Sequence, residues 1–171
     1  KISNYDSPVI DFLNLKFFND EISISGTGFI NQKQNSIKLI SNIDSLNMKH
    51  ITNYLPLNLM SEKTSKYFKN AFKRGYANDG NIYINGSLSS YPFYDDKTGI
   101  SHAVLPMKKI DINYKKGWTS FENVNGIAYF NNRRAHFNSN EIKILKTSFK
   151  NASLTINDID NMELWVKGKL K

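Results

Sequence analysis

Few residues of this 171-residue chain have the types and spacing that catalysis or metal binding needs. There are no cysteines and three histidines, His50, His102 and His136. None of the histidines has a second histidine or a carboxylate at the spacing with which helices bind metals. No serine lies in the Gly-x-Ser-x-Gly turn that exposes a nucleophile. The sequence therefore predicts neither a metal site nor a nucleophilic catalyst, and we expect no cofactor.

Two pairs of carboxylates are spaced closely enough to suggest acid and base chemistry. Asp95 and Asp96 are adjacent, and Asp158 and Asp160 are separated by one residue. Both pairs lie in turn-like sequence, where carboxylates usually face water or accept hydrogen bonds from local backbone amides. No aromatic-walled cleft is indicated that would raise the pKa of one partner for proton transfer. We therefore predict no catalytic residues and no enzyme.

One glycine-rich segment could be taken for a phosphate-binding loop. Gly26-Thr27-Gly28 lacks the third glycine and the following helix that such a loop requires. Glycine within a strand usually marks a bulge or kink, which is what we predict here.

The chain is basic, with a net charge of +8, but 3 of its 23 basic residues are arginines: Arg74, Arg133 and Arg134. Recognition of bases and bidentate binding of phosphate favour arginine over lysine. Aromatic residues beside basic ones, such as Phe149 before Lys150, could stack on bases, but aromatic residues are ordinary in strands. We expect no nucleic-acid partner, and the lysines suit anionic surfaces or serve solubility.

Alternation of apolar and polar residues dominates the chain and predicts strands with one dry and one wet face. This pattern is typical of an antiparallel sheet rather than of buried parallel strands. Hydrophobic residues make up 40% of the chain and aromatic residues 13%, so a folded core is expected. No apolar run approaches the roughly 18 residues of a membrane span. We predict a mainly β, curled antiparallel meander over residues 1–171.

The exception is a helical insertion over residues 47–75. Asn47 can cap a short helix, which must end near Leu55 because the residue before Pro56 is pushed out of helical geometry. Ser61 can cap a second, amphipathic helix, for which Gly75 supplies the left-handed stop. The residues of its apolar stripe, which should cover the sheet, are Met60, Tyr67, Phe68, Ala71 and Phe72, together with Thr64.

Several short motifs resemble the central region of the YhdP family, in the order in which that family has them. Asn53-Tyr54-Leu55-Pro56 precedes the amphipathic helix, and Gly86-Ser87-Leu88-Ser89-Ser90-Tyr91-Pro92-Phe93 follows it. Tyr114-Lys115-Lys116-Gly117-Trp118 is similar to the family's Tyr-x-x-Gly-Trp turn, with Thr119 where proline is usual. The resemblance extends over roughly residues 10–165, through Asn125-Gly126 and Ala152 to Ile159.

The resemblance implies a segment of an AsmA-like protein that is periplasmic and anchored in the inner membrane. It implies an apolar groove that carries phospholipid between the inner and outer membranes, and it leaves other envelope partners unknown. Two alternatives remain open, namely a closed sandwich with an ordinary core and an envelope scaffold that carries no lipid. The predicted groove residues, on the dry faces of the strands, are Ile22, Ile24, Ile37, Leu39, Ile82, Ile84, Ile110, Ile112, Tyr114, Ile127, Tyr129, Ile142 and Ile144.

Trp118 follows the turn at Lys116-Gly117. Large aromatic residues after a turn glycine commonly pin the start of a strand, so we predict that Trp118 is a packing anchor.

Overall fold

The computed structural model describes residues 2–3, 8–55, 57–114, 117, 119–144, 147–161 and 163–170. One sheet holds ten strands, each antiparallel to its neighbours in the sequence. They are β1 (Ile2–Ser3), β2 (Val9–Phe18), β3 (Ile22–Asn31), β4 (Ser36–Asn47), β5 (Phe72–Ser87), β6 (Gly99–Ile112), β7 (Phe121–Asn131), β8 (Arg134–Ile144), β9 (Thr147–Ile156) and β10 (Leu164–Leu170). The predicted antiparallel meander is confirmed, and the sheet is not closed into a barrel because β1 and β10 are its two edges.

One face of the sheet is apolar across many strands. Directly opposed residues of neighbouring strands share a face, and Ile22, Leu46, Ala77 and Met107 form one such row from β3 to β6. All four are at most 4% exposed. We call the side that carries this row the apolar face and the opposite side the outer face.

Residues in left-handed conformation interrupt several strands. Asp79, Lys109, Asn123 and Asn151 have φ angles between 48° and 55°, and the strand register shifts at each of them. Asparagine and aspartate tolerate this conformation better than most residues. Because each bulge bends its strand and increases its twist, these four strands curl the sheet.

The first part of the helical insertion is a 3₁₀ helix, Met48–Asn53. The Asn47 side chain accepts a hydrogen bond from the backbone N–H of Lys49, so the predicted cap is confirmed. Met48 and Ile51 are buried in the core together with Ile22 and Leu46. The first 3₁₀ helix therefore covers the apolar face over β3–β5. A second, short 3₁₀ helix spans Leu57–Leu59.

The α-helix α1 spans Glu62–Ala71 and begins as predicted. The Ser61 hydroxyl accepts a hydrogen bond from the backbone N–H of Thr64 at 3.2 Å, which satisfies one of the free amides of the first turn. A carboxylate in that turn, Glu62, suits the positive end of the helix dipole.

The predicted end of this helix at Gly75 was wrong. Phe72 already has extended backbone angles and is paired with Ile112 of β6, so sheet pairing replaces the last helical turn. Gly75 lies inside β5 with a φ of 112°. A Cβ there would lie 2.7 Å from the carbonyl oxygen of Lys109, so glycine permits the close approach of β6.

The two ends of the Gly86–Phe93 motif pack against each other at one end of the sheet. Phe93 is fully buried, and a Cβ on Gly86 or on its partner Gly99 would lie 2.8 Å or less from its ring. The two glycines therefore make the space in which the ring packs. A 3₁₀ turn, Leu88–Ser90, carries the chain to it.

Trp118, the predicted packing anchor, lies outside the described residues. Within the part of the chain that the structure describes, no helix has the length and apolar character that a membrane crossing needs.

Candidate lipid-binding site

A pocket of about 100 Å³ lies between α1 and the apolar face. Among the described residues, none of those that line it is Lys, Arg, Asp or Glu. The lining residues are Tyr67, Phe68, Phe72, Met107, Ile112, Tyr114, Phe121, Phe130, Ala135, His136, Phe137, Leu154, Ile156, Ile159 and Leu164. A lining of this kind suits alkyl or aromatic groups, because it offers them apolar contacts and, in its described part, no charged group.

The aromatic side chains of α1 form the roof of this pocket. Phe68 stacks on Phe72 with ring centroids 6.4 Å apart, and Tyr67 meets both Phe68 and Tyr114 edge to face. Burial, with a smaller contribution from Tyr114, raises the pKa of the Tyr67 phenol far above its usual range. The phenol is therefore neutral at any physiological pH, and the roof carries no charge.

The first turn of α1 is held by a polar cluster. We call this cluster, made of Thr64, Arg133, Asp158 and Asp160, the latch. The fully buried Thr64 hydroxyl lies 2.9 Å from Asp160 Oδ1 and 3.0 Å from the carbonyl oxygen of Ile159. Arg133, at the turn between β7 and β8, donates to Asp158 at 2.8 Å and also to Asp160. The latch thus joins α1, that turn and the segment before β10.

The charged side chains of the latch are all paired with groups of opposite charge or with hydrogen-bond donors. Hydrogen bonds from Ser61 first, and then from Arg133 and Thr64, hold the pKa of the Asp160 carboxyl below its ordinary value, against the opposing effect of burial. The Arg133 guanidinium also lies 4.0 Å from the centroid of the Tyr94 ring, a cation–π contact. Asp160 is therefore charged and paired at neutral pH.

A second polar cluster holds the first 3₁₀ helix. Glu21, in the turn between β2 and β3, accepts hydrogen bonds from Asn53 at 3.0 Å and Tyr54 at 2.8 Å, and it pairs with His50 at 3.0 Å. These bonds lower the pKa of Glu21, with Asn53 the largest cause. We call Glu21, His50, Asn53 and Tyr54 the clamp.

The predicted groove residues separate into three groups. Ile22, Ile84, Ile110 and Ile142 are buried in the packed core. The half-buried residues on the apolar side are Ile24, Ile37, Leu39, Ile82, Ile112, Tyr114 and Ile144. Of all these, Ile112 and Tyr114 line the pocket.

The third group is a correction. Ile127 and Tyr129 lie on the outer face and are 37% and 38% exposed. Their neighbour Ala128 is instead opposite Leu105 of β6 and Phe137 of β8 on the apolar face. Apolar residues occur on both faces of β7, so the alternation of its sequence did not decide which face is buried. We predicted that Ile127 and Tyr129 face the apolar side, and this was wrong.

The residues predicted to form the helical cover lie in different surroundings. Tyr67, Phe68 and Phe72 line the pocket, whereas Ala71 is fully buried and Met60 lines a neighbouring, more polar cavity.

Several pocket residues from β7 to β10 were missed by sequence reasoning, among them Phe130, Phe137 and Leu164. For β7, which carries Phe130, a spacing of three between the apolar residues Phe121 and Val124 could have indicated the correct face. Asn123 adopts the left-handed conformation between those two, which keeps both on the buried side. The spacing of three around Asn123 thus corresponds to a bulge.

The other residues considered for chemistry have structural partners or face water. His136 contacts Thr155 and Asn138 at 2.9 and 2.8 Å, and His102 is exposed. Asp95 accepts hydrogen bonds from the backbone N–H groups of Lys97 and Thr98, as predicted for a turn carboxylate. No group of three potential metal ligands occurs among the residues described.

A bulge was predicted at Gly26-Thr27-Gly28 of β3, but the structure has it in the neighbouring strand β2. The register of β2 shifts between Phe12 and Leu15, opposite Gly28 and Gly26. A Cβ on Gly28 would lie 2.2 Å from the carbonyl oxygen of Lys38 in β4, so this glycine permits a close backbone approach.

The apolar face extends to both edges of the sheet. Leu15 and Phe17 of β2 pair with positions on that face, and both are nearly half exposed. At the other edge Val166 of β10, opposite Leu154, is 46% exposed. Apolar surface is therefore accessible beyond the pocket.

The family model described as YhdP protein matches residues 2–171. Comparison with curated proteins and with solved structures found no match. The family match spans nearly the whole chain and agrees with the order of motifs from Tyr54 to Trp118. The chain therefore belongs to the YhdP protein family, an envelope family of the AsmA-like group.

Proposed function

We propose that this chain is a non-catalytic segment of a larger AsmA-like protein whose apolar face helps to carry phospholipid between the inner and outer membranes. The full-length protein would be periplasmic and anchored in the inner membrane outside this segment. The observation that carries the proposal is the pocket beneath α1, whose described lining has no charged side chain.

Acyl chains would lie against the apolar face while the headgroups stay in water. Each methylene sheltered from water contributes about 0.8 kcal/mol, so binding needs no covalent step. The half-exposed residues Leu15, Phe17 and Val166 extend the dry surface to both edges. Lys63, Lys66 and Lys69 are exposed on α1 and would attract anionic headgroups.

A scaffold role in the envelope without lipid is the second candidate, and a specific observation favours it. Much of the apolar face is already covered, since Met48, Phe93 and Ile110 are fully buried within the protein itself. A closed core of this kind needs no ligand.

Two aspartate substitutions in neighbouring positions of β6 separate these functions. Ile112 is half-buried and lines the pocket, so Ile112→Asp should leave the chain folded but prevent lipid binding. Ile110 is fully buried, so Ile110→Asp places an unpaired charge in the core and should unfold the chain.

The measurement is thermal unfolding of the purified chain, followed by incubation with vesicles of phosphatidylethanolamine and phosphatidylglycerol and mass spectrometry of the bound lipid. We expect lipid on the unmodified chain and little on Ile112→Asp. Absence of lipid from the unmodified chain would favour the scaffold. Normal lipid on a folded Ile112→Asp chain would remove this part of the face from the lipid path.

A further inference from the structure

The pocket beneath α1 is too small for the phospholipid of the proposed function. If that function holds, the pocket must enlarge when lipid binds, and the inference below rests on it. A cavity of about 150 Å³ holds a single benzene ring, whereas the pocket beneath α1 measures about 100 Å³. An acyl chain is several times larger than benzene. Because the space beneath α1 is this small, an acyl chain fits wholly beneath the helix only if α1 moves away from the sheet.

The two ends of α1 are attached in different ways. At the C-terminal end Ala71 is fully buried, its carbonyl accepts a hydrogen bond from the backbone N–H of Asn113 at 2.8 Å, and Phe72 continues directly into β5. This end is part of the sheet and cannot leave it without breaking strand pairing.

The N-terminal end is attached through polar side chains. The Thr64 hydroxyl and the Arg133 guanidinium meet the carboxylates of Asp158 and Asp160, and Lys63 donates to the carbonyl of Asn161 at 3.1 Å. Water can replace each of these partners when they separate, which apolar packing does not allow.

We propose that α1 is a hinged cover, which pivots at Ala71–Phe72 and is held closed by the latch. Opening separates Tyr67 and Phe68 from the sheet and creates room for an acyl chain between them. The exposed aromatic rings then pack against the chain instead of meeting water, so the ligand favours the open state. Thr64, Arg133, Asp158 and Asp160 are positioning residues that set how readily lipid enters.

A cysteine pair can close or release the latch within one protein. Because the chain has no native cysteine, Thr64→Cys together with Asp160→Cys places its only two thiols on opposite sides of the latch, one in α1 and one in the segment before β10. The side-chain oxygens of these residues are 2.9 Å apart. In the oxidised protein the disulfide holds α1 against the sheet. In the reduced protein the two thiols replace the native hydrogen bond between Thr64 and Asp160, so the latch is weakened.

The probe is cis-parinaric acid, a polyene fatty acid that fluoresces in apolar surroundings, and the readout is its initial rate of uptake. We expect oxidation to slow uptake at least tenfold relative to the reduced form, and the reduced form to take it up faster than the unmodified chain. The unmodified chain, under the same oxidant, should not change. Mass spectrometry verifies the disulfide before uptake is measured.

A second pair of variants tests the latch without a cross-link. Arg133→Gln removes the cation that holds Asp158 and Asp160 and should speed uptake about tenfold, which corresponds to roughly 1.4 kcal/mol in the opening equilibrium. Arg134→Gln removes the same charge from an exposed neighbouring position and should leave the rate unchanged. Equal rates for both variants, or for both redox forms, would contradict the hinged cover while leaving lipid binding intact. No uptake by any form would contradict the proposed function, and the cover with it.

Discussion

The two helical covers of the apolar face differ in how they meet it. The first 3₁₀ helix inserts Met48 and Ile51 into the core, where they are 0% and 7% exposed. α1 instead lays half-buried aromatic rings over a pocket, with Phe68 and Tyr67 in the roof. The first contact resembles an ordinary protein interior, and the second leaves a space that a ligand can enlarge. The difference indicates where the sheet is sealed and where it can open.

The polar attachments follow the same division. The clamp at Glu21 holds a helix that is already fixed by packing, so its hydrogen bonds add to an existing core. The latch at Asp160 holds the first turn of α1, where the buried contact is a polar one, from Thr64 to Asp160 and Ile159. We infer that breaking the clamp costs stability, whereas breaking the latch changes access.

We expect the largest effect on the free energy of unfolding from truncating one side chain in each helical cover, the first 3₁₀ helix and α1. Met48→Ala should destabilise the fold by about 2–5 kcal/mol, because it leaves a cavity among fully buried neighbours. Phe68→Ala should cost less, about 1–2 kcal/mol, because the ring is half-buried, and it should increase lipid binding by enlarging the pocket. Urea unfolding and lipid extraction measure the two quantities. Equal costs, or less lipid on Phe68→Ala, would remove the distinction between the covers.

Acid should weaken both attachments, with a smaller effect on stability. The pKa of Glu21 is lowered from 4.5, chiefly by Asn53, and that of Asp160 from 3.8, chiefly by Ser61. A lowered pKa in the folded state stabilises the fold above the unfolded value and stops doing so as the pH falls through the folded value. The clamp should therefore begin to weaken below about pH 4.5 and the latch below about pH 3.8.

Hydrogen exchange at a series of pH values, corrected for intrinsic rates, measures this weakening. The charged groups that face Asp160 are Arg133 and Asp158. We expect constant protection of α1 between pH 5 and pH 7. A change of α1 protection within that range would show that another group controls the latch.

The sequence was sufficient for the regular parts of this fold. Alternation of apolar and polar residues predicted the strands, and Asn47 and Ser61 predicted both helix starts, because these features depend on local chemistry. The end of α1 at Ala71 was not predictable locally, since it depends on pairing of Phe72 with Ile112 across the sheet.

The site was predicted less completely, for a related reason. Two of the predicted groove residues, Ile112 and Tyr114, line the pocket, but the face of β7 was reversed because Ile127 and Ala128 both fit a buried strand position. The latch could not be derived from the sequence at all. It joins Thr64 to Asp160 across 96 positions, and neither residue lies in a motif that indicates the other.

The central claim is that an acyl chain occupies the space beneath α1, and photolabelling tests it most directly. A phospholipid with a diazirine on one acyl chain is bound to the protein and illuminated, and the labelled peptides are identified by mass spectrometry. We expect labels on Phe68, Phe130 and Phe137, which line the pocket, and none on Ile127 or Tyr129 of the outer face. Labels confined to the exposed edge residues Leu13 and Trp165, with none beneath α1, would contradict this claim.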